Sequence, residues 1–294
     1  MRKFKYFEPK SLAEAISLLE HYGHGARILA GGTNLVPELK AGAIKPVCVV
    51  NIKTVDGLRV AYEDSEGIHI GALVTQAELA WVEISRRRIV PPSLLKRIPM
   101  PLRKIMSLMG NPQVRNIATI AGNLAWASPA ADLAPPLLTL DAQVKVCGSV
   151  GERTLSLDTF FRGPGKTVLK QNEIITEILI PSRSLDKVAM AHKFMKRKAN
   201  TLSVCSAAVS LNRISGKTVK DVRIAVGAVA PIPMRMRRAE SLLEGQAIHE
   251  RLLGKIKEMV FEEINPITDG RSTAWFRKEV TPILVERCIT EALA

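Results

Sequence analysis

Arg27-Ile28-Leu29-Ala30-Gly31-Gly32-Thr33-Asn34-Leu35-Val36-Pro37 is the stretch on which the reading of this chain turns. A short apolar run leads into three small residues, Ala30, Gly31 and Gly32, and two good helix-capping residues, Thr33 and Asn34, follow. That order reads as strand, tight turn and helix start. Backbone N–H groups at such a turn lack partners, and residues without side chains let an anion come close. On this stretch alone two readings stay open: a cradle for phosphate or pyrophosphate, or an ordinary strand-to-helix turn. Neither G-x-G-x-x-G nor the P-loop pattern is present, so neither nucleotide fingerprint applies.

Upstream, Ser11-Leu12-Ala13-Glu14 is a capping box, and Leu12, Ala15, Ile16, Leu18 and Leu19 give the apolar face of a helix that Gly23 stops. Downstream, a short helix over 35–40 ends at Gly42, and 46–52 is an apolar strand. The N-terminal segment therefore reads β-α-β-α-β, a small α/β unit with a parallel sheet. Its glycine turn falls at the carboxyl end of a strand, where such units bind ligands.

The texture then changes. Short strands at 58–62 and 67–72 flank the turn Glu63-Asp64-Ser65-Glu66 and predict a hairpin. Thr75-Gln76-Ala77-Glu78 is a second capping box. A helical region rich in Arg, Leu and Met spans 93–109, interrupted by Pro99 and Pro101, and its apolar residues read as core. Arg86-Arg87-Arg88 reads as a solvated face.

A second dense stretch runs from Asn116 through Thr119-Ile120-Ala121-Gly122-Asn123 to Asp132-Leu133-Ala134-Pro135-Pro136. Small residues crowd around Gly122 and Ala130, a composition that lets backbone lie against a planar ligand or a phosphate. Asp132 is the lone carboxylate there; it either meets a ligand's ribose or amino group or caps a helix over 133–140. Beyond it come a hairpin at 143–147 and 152–155, a strand at 173–180 closed by Pro181, and strands at 190–195, 203–211 and 219–229. Helical patterns at 236–243, 252–264 and 272–293 complete the chain. Strands followed by helices mark an α+β domain from about Pro181.

The 294 residues suffice for two domains, and 47% apolar with 24% charged residues is the balance of a globular protein. No apolar run reaches the ~18 residues of a membrane span, and the N-terminal residues lack the apolar core of a secretory signal. A cytoplasmic location is expected. Cys48, Cys147, Cys205 and Cys288 form no C-x-x-C pair and the histidines no H-x-x-x-H, so metal or iron–sulfur binding within the chain is not expected. The net charge of +14 raises nucleic acid as a partner, but the basic residues are dispersed and aromatic residues make up only 4%, too few for a stacking platform. A surface that docks an acidic protein fits the charge as well.

With both stretches placed, the chain resembles the flavin-binding (medium) subunit of the molybdenum hydroxylases, which include aerobic carbon monoxide dehydrogenase and xanthine dehydrogenase. The resemblance rests on Ala30-Gly31-Gly32-Thr33-Asn34-Leu35 and on Gln113-Val114-Arg115-Asn116 through Asn123 to Asp132. Gly227-Ala228-Val229-Ala230-Pro231, the segment from Arg235 to Glu240, and Asp269-Gly270-Arg271-Ser272 extend it over nearly the whole chain.

The resemblance implies an α+β fold. A two-subdomain FAD-binding domain over 1–180, divided near residue 55, would combine a small parallel α/β unit with a larger, mainly antiparallel one. A C-terminal domain over 181–294, with a three-stranded antiparallel sheet and a helical bundle, would cover the flavin. It also implies non-covalent FAD. By position Ile28, Leu29, Ala30, Gly31, Gly32, Thr33, Asn34 and Leu35, with Thr119, Ile120, Ala121, Gly122 and Asn123, would hold the pyrophosphate and nearby groups. Asp132 would meet the adenosine side, Ile175 and Lys193 would lie beside the ring, and Met109 would border the cofactor.

Three positions depart from the family pattern. Ala121 stands where a first glycine is common, Thr201 where a carboxylate follows Lys193 and Arg197, and Phe276 where Tyr is frequent.

The residues themselves offer no acid–base or nucleophile constellation, which suits a carrier whose cofactor supplies the redox chemistry. The expected role is an oxidoreductase subunit that takes electrons from the iron–sulfur clusters of a small partner subunit and passes them through FAD to NAD or another acceptor. A large partner subunit would carry the molybdenum cofactor. A self-sufficient FAD-dependent oxidase or dehydrogenase, and a basic binding or assembly protein without cofactor, are the competing expectations.

Overall fold

The computed structural model describes residues 2–80, 89–198 and 200–294, so the arginine run at 86–88 lies outside the described residues. Strands Lys5–Phe7, Ala26–Leu29 and Cys48–Asn51 lie parallel, the last between the other two. Parallel neighbours need crossovers, and helices Leu12–Tyr22 and Leu35–Ala41 supply them. Ser11 Oγ accepts from Glu14 N at 3.2 Å to start the first helix, and Gly23 stops it at φ +52°. Gly42, in the left-handed region at φ +71°, ends the second. Ala15, Ile16 and Leu19 pack on Cys48 and Val50 beneath this sheet.

A second unit is built on five antiparallel strands in the order Ala61–Glu63, Gly67–Gly71, Ile174–Pro181, Gln143–Gly148 and Gly151–Ser156. Its central strand reads as an apolar run because both neighbours cover it: Ile178 lies opposite Ile70 on one side and Val144 on the other. The Leu- and Met-rich segment forms helices Pro92–Arg97 and Met100–Ser107, broken where Pro99 intervenes. Leu102, Ile105 and Met106 are fully buried, so this segment is core, as its composition predicts.

The third unit is an antiparallel sheet of Val188–Phe194, Cys205–Ser215 and Thr218–Gly227, and the two-residue strand Met234–Arg235 adds a fourth to the three expected. Helices Arg237–Leu243, Glu250–Glu263 and Ala274–Leu293 cover one face. Against the same sheet lies helix Ala134–Thr139 of the second unit: Ser210 Oγ donates to Thr139 O at 2.6 Å, and a Cβ on Gly227 would stand 2.9 Å from Pro135 Cγ. The α+β architecture read from the sequence is the one observed, and no described helix is long and apolar enough to cross a membrane.

Candidate functional site

The glycine turn meets the second small-residue stretch back to back. A Cβ on Gly31 would lie 2.1 Å from Ile117 O and 3.0 Å from Ala118 Cα, so any side chain there forces the parallel unit and the second unit apart. Gly32 has a different reason for being glycine: its φ is +72°, and a Cβ would press on Leu29 Cδ1 at 2.8 Å. Thr75 and Thr119 form an antiparallel bridge, and Gln76 N donates to Ala118 O at 2.8 Å, which ties a third segment to the same seam.

Both motifs present unpaired N–H groups. Helix Leu35–Ala41 begins without a side-chain cap at Asn34, and Val36 N, donating to Gly32 O at 2.9 Å, is the first N–H after the turn to find an acceptor. The N–H groups from Gly32 to Leu35 bond to nothing among the described residues. In the second motif Thr119 Oγ1 caps helix Ile120–Ala125 by accepting from Gly122 N at 2.9 Å, while the N–H group of Ala121 stays unpaired among the described residues. Such unpaired donors at two turns suit a pyrophosphate, which only accepts. Ala121 sits within this helix and outside the positive-φ residues, so the methyl group that replaces a glycine hydrogen causes no backbone strain.

Asp132 does not cap a helix. Leu133 holds the N-cap position of helix Ala134–Thr139, without a side-chain cap, and Asp132 is buried in a different partnership. Its Oδ2 accepts from Lys193 Nζ at 2.6 Å and its Oδ1 accepts from the buried Ser203 hydroxyl. Lys193 also reaches Thr201 O at 3.4 Å. Lys193 thus has a carboxylate partner in Asp132, although Thr201 supplies none. It also follows that Asp132 and Lys193, expected on the adenosine side and beside the ring, are one ion pair at one end of the site.

These elements enclose a cavity of about 580 Å³, within the range that small-molecule sites occupy. Ile28, Ala30, Gly31, Gly32, Thr33, Asn34 and Leu35 line it from the first unit; Met109, Thr119, Ala121, Gly122, Asn123, Asp132 and Ile175 line it from the second. Three of the residues expected in the site are off its wall. Leu29 packs with Leu35, Leu39 and Val49, the side-chain alternation of a strand turning it away from Ile28. Ile120 is a core residue. Lys193 stands behind Asp132.

Sequence reading missed Arg27, Gln76 and Trp126 on the wall, and Asn200 and Leu202, which the third unit contributes together with Thr201. Arg27 was legible as a cation preceding the turn; its Nη1 donates to His24 O and Ala26 O. Gln76 was hidden inside a capping box, where Thr75 N and Oγ1 both donate to Glu78 Oε2.

Two further wall features bear on what the cavity can do. Gln76 Oε1 and Asn123 Oδ1 are buried with no hydrogen-bond partner among the described residues, acceptors for which a ligand must bring donors. Glu173 is clamped by Arg153 at 2.8 Å, and this hydrogen bond holds its carboxyl below the usual range, so it stays an anion tied to the wall. No group of three or more metal-ligating side chains occurs among the described residues. Burial pushes the Cys205 thiol up to about 11 and Cys288 up to about 12, which leaves both unreactive. Free donors, orphaned acceptors and a backbone seam with no room for a Cβ fit the FAD that the resemblance implies.

Residues 2–183 match the family described as FAD binding domain in molybdopterin dehydrogenase, and residues 190–292 match the CO dehydrogenase flavoprotein C-terminal domain. The chain is 30% identical to the carbon monoxide dehydrogenase medium chain of Hydrogenophaga pseudoflava, covering 99% of this chain and 98% of that one. It is 29% identical to the glyceraldehyde dehydrogenase medium chain of Sulfolobus acidocaldarius, covering 98% of each. Among solved structures it superimposes on carbon monoxide dehydrogenase from Hydrogenophaga pseudoflava lacking the Mo-pyranopterin moiety, with a TM-score of 0.90 at 29% identity over 99% of this chain and 97% of that one. The seam, the cavity and these matches over the full length lead to one conclusion: the chain belongs to the FAD-binding medium subunits of the molybdopterin dehydrogenases, oxidoreductase flavoproteins of the carbon monoxide and xanthine dehydrogenase type.

Proposed function

We propose that this chain is the electron-transfer subunit of a hetero-oligomeric molybdenum hydroxylase, docking on an iron–sulfur small subunit and assembled with a molybdenum-binding large subunit. One observation carries the reading: the cavity wall offers donors and acceptors for holding a dinucleotide, while its two carboxylates, Asp132 and Glu173, are each tied to a cation. FAD, when bound, supplies the redox chemistry, receiving electrons from the partner's clusters and delivering them to NAD or another acceptor.

The residues of the chain bind and orient. The N–H groups of Gly32 to Leu35 and of Ala121 hold the pyrophosphate. Asp132, fixed by Lys193 and Ser203, orients a hydroxyl or amino group of the cofactor. Ile175 and Met109 offer apolar contact, and Leu202 brings the third unit to the wall to exclude water. The functional division follows the same lines, with an FAD-binding domain to about residue 180 and a covering domain beyond it.

The test is purification of the chain with its neighbours, followed by rapid mixing with the substrate of the large subunit. Co-purification with an iron–sulfur and a molybdenum subunit, and bleaching of flavin absorbance only when both are present, are expected. Flavin reduced by substrate in the isolated chain would instead favour a self-sufficient dehydrogenase.

A further inference from the structure

Gln76 stands where three segments meet. Its N–H donates to Ala118 O at 2.8 Å, and Ala118 is the residue whose Cα lies 3.0 Å from where a Gly31 Cβ would be. The neighbouring Thr75 bridges to Thr119, the cap of the second motif. Gln76 is thereby held beside both glycine motifs at once, on the wall of the cavity. It is 2% exposed, and its Oε1 is buried without a partner among the described residues. The capping box explains Thr75 and Glu78 and leaves the Gln76 side chain without a task.

A buried carbonyl oxygen calls for a donor. The pyrophosphate placed at this junction has none to give at neutral pH. A sugar hydroxyl attached to it has one, and it can also accept from the amide nitrogen. We propose that Gln76 is a further cofactor-contacting residue: its side-chain carbonyl accepts a hydrogen bond from a hydroxyl of the sugar next to the pyrophosphate. That sugar is either the ribose or the ribityl chain. The inference rests on the reading of the cavity as an FAD site and adds a residue that the glycine motifs do not contain.

The experiment is equilibrium binding of FAD to the full chain stripped of flavin, followed by fluorescence quenching, for wild type, Gln76→Leu and Gln76→Met. FMN and ADP serve as half-ligands, and melting of the apo chain reports folding. Losing one ligand hydrogen bond raises Kd for FAD by roughly 10-fold. Apo melting stays level or rises, because the orphaned acceptor is gone. Weakened FMN binding assigns the contact to the ribityl chain, and weakened ADP binding assigns it to the ribose. An unchanged Kd for FAD in whichever variant folds overturns the proposal. Failure of the wild-type chain to bind FAD at all strikes the cofactor reading itself, so the two failures are distinguishable.

Discussion

Two buried clusters of opposite charges sit about the second and third units, and they differ in what they leave unsatisfied. In one, Asp141 accepts from Arg223 at 3.2 Å and Arg235 at 3.0 Å, and Arg235 forks onto Glu240 at 2.6 and 2.8 Å. Glu240 also takes the N–H of Ile224 at 2.9 Å, so the cluster closes on itself between the second and third units, away from the cavity. In the other, Asp132 is held by Lys193 and Ser203, yet remains on the wall of the cavity, which also carries the orphaned acceptors of Gln76 and Asn123. Burial and pairing alone therefore do not mark a binding residue. What distinguishes Asp132 is its place on the cavity wall.

The largest effect is expected at the closed cluster. Arg235→Ala leaves Glu240 buried without its partner and should cost about 3–5 kcal/mol of unfolding free energy, read by urea denaturation of the apo chain. FAD affinity measured below the unfolding transition should not change; a parallel loss of affinity would erase the distinction between the clusters.

Next comes the open cluster. Asp132→Ala is a poor probe, because it strands the Lys193 ammonium, whose side chain is fully buried. Asp132→Asn keeps the shape but leaves that ammonium equally without its anion, so it is combined with Lys193→Met; in the double variant Kd for FAD should rise by about 10- to 100-fold, with a smaller effect on apo melting. Equal melting shifts with and without FAD would show that Asp132 serves the fold alone.

A third effect is a pH dependence that belongs to neither cluster. Burial alone would raise the Asp269 carboxyl, but hydrogen bonds from Arg271 and Arg277, the latter itself buried and donating to Ala228 O at 3.1 Å, outweigh it and hold the pKa well below its ordinary value. A depressed folded-state pKa contributes stability above the unfolded value of about 3.9 and loses it as pH falls through the folded value. Asp269→Asn should flatten the acid limb of the stability curve below about pH 4. An unaltered limb would assign acid sensitivity elsewhere, Asp64 and Glu173 also being carboxylates held low.

Much of this was legible from local pattern. The alternation of strands and helices before residue 55, the two capping boxes and the glycine turn are local, and each is present where its residues predict it. What local pattern hides is pairing at a distance. Asp132 reads as a cap or a ligand group until the chain brings Lys193 and Ser203, 61 and 71 residues on, against it. Gly31 and Gly32 read alike, although one is demanded by the backbone of Ile117 and the other by its own φ. Gln76 was concealed by a motif that accounted for its neighbours. Leu202 and Asn200 belong to a loop of the third unit, and no periodicity announces that a loop closes on a cavity formed by other units.

Gly31 gives the most direct test of the central claim that FAD lies across the seam between the first two units. Titration of FAD into the flavin-free chain, followed by absorbance and fluorescence, should reach one flavin per chain in the wild type. Gly31→Ala, whose new methyl group falls 2.1 Å from Ile117 O, should hold almost none while the third unit stays folded. Equal flavin occupancy in the two chains would contradict it.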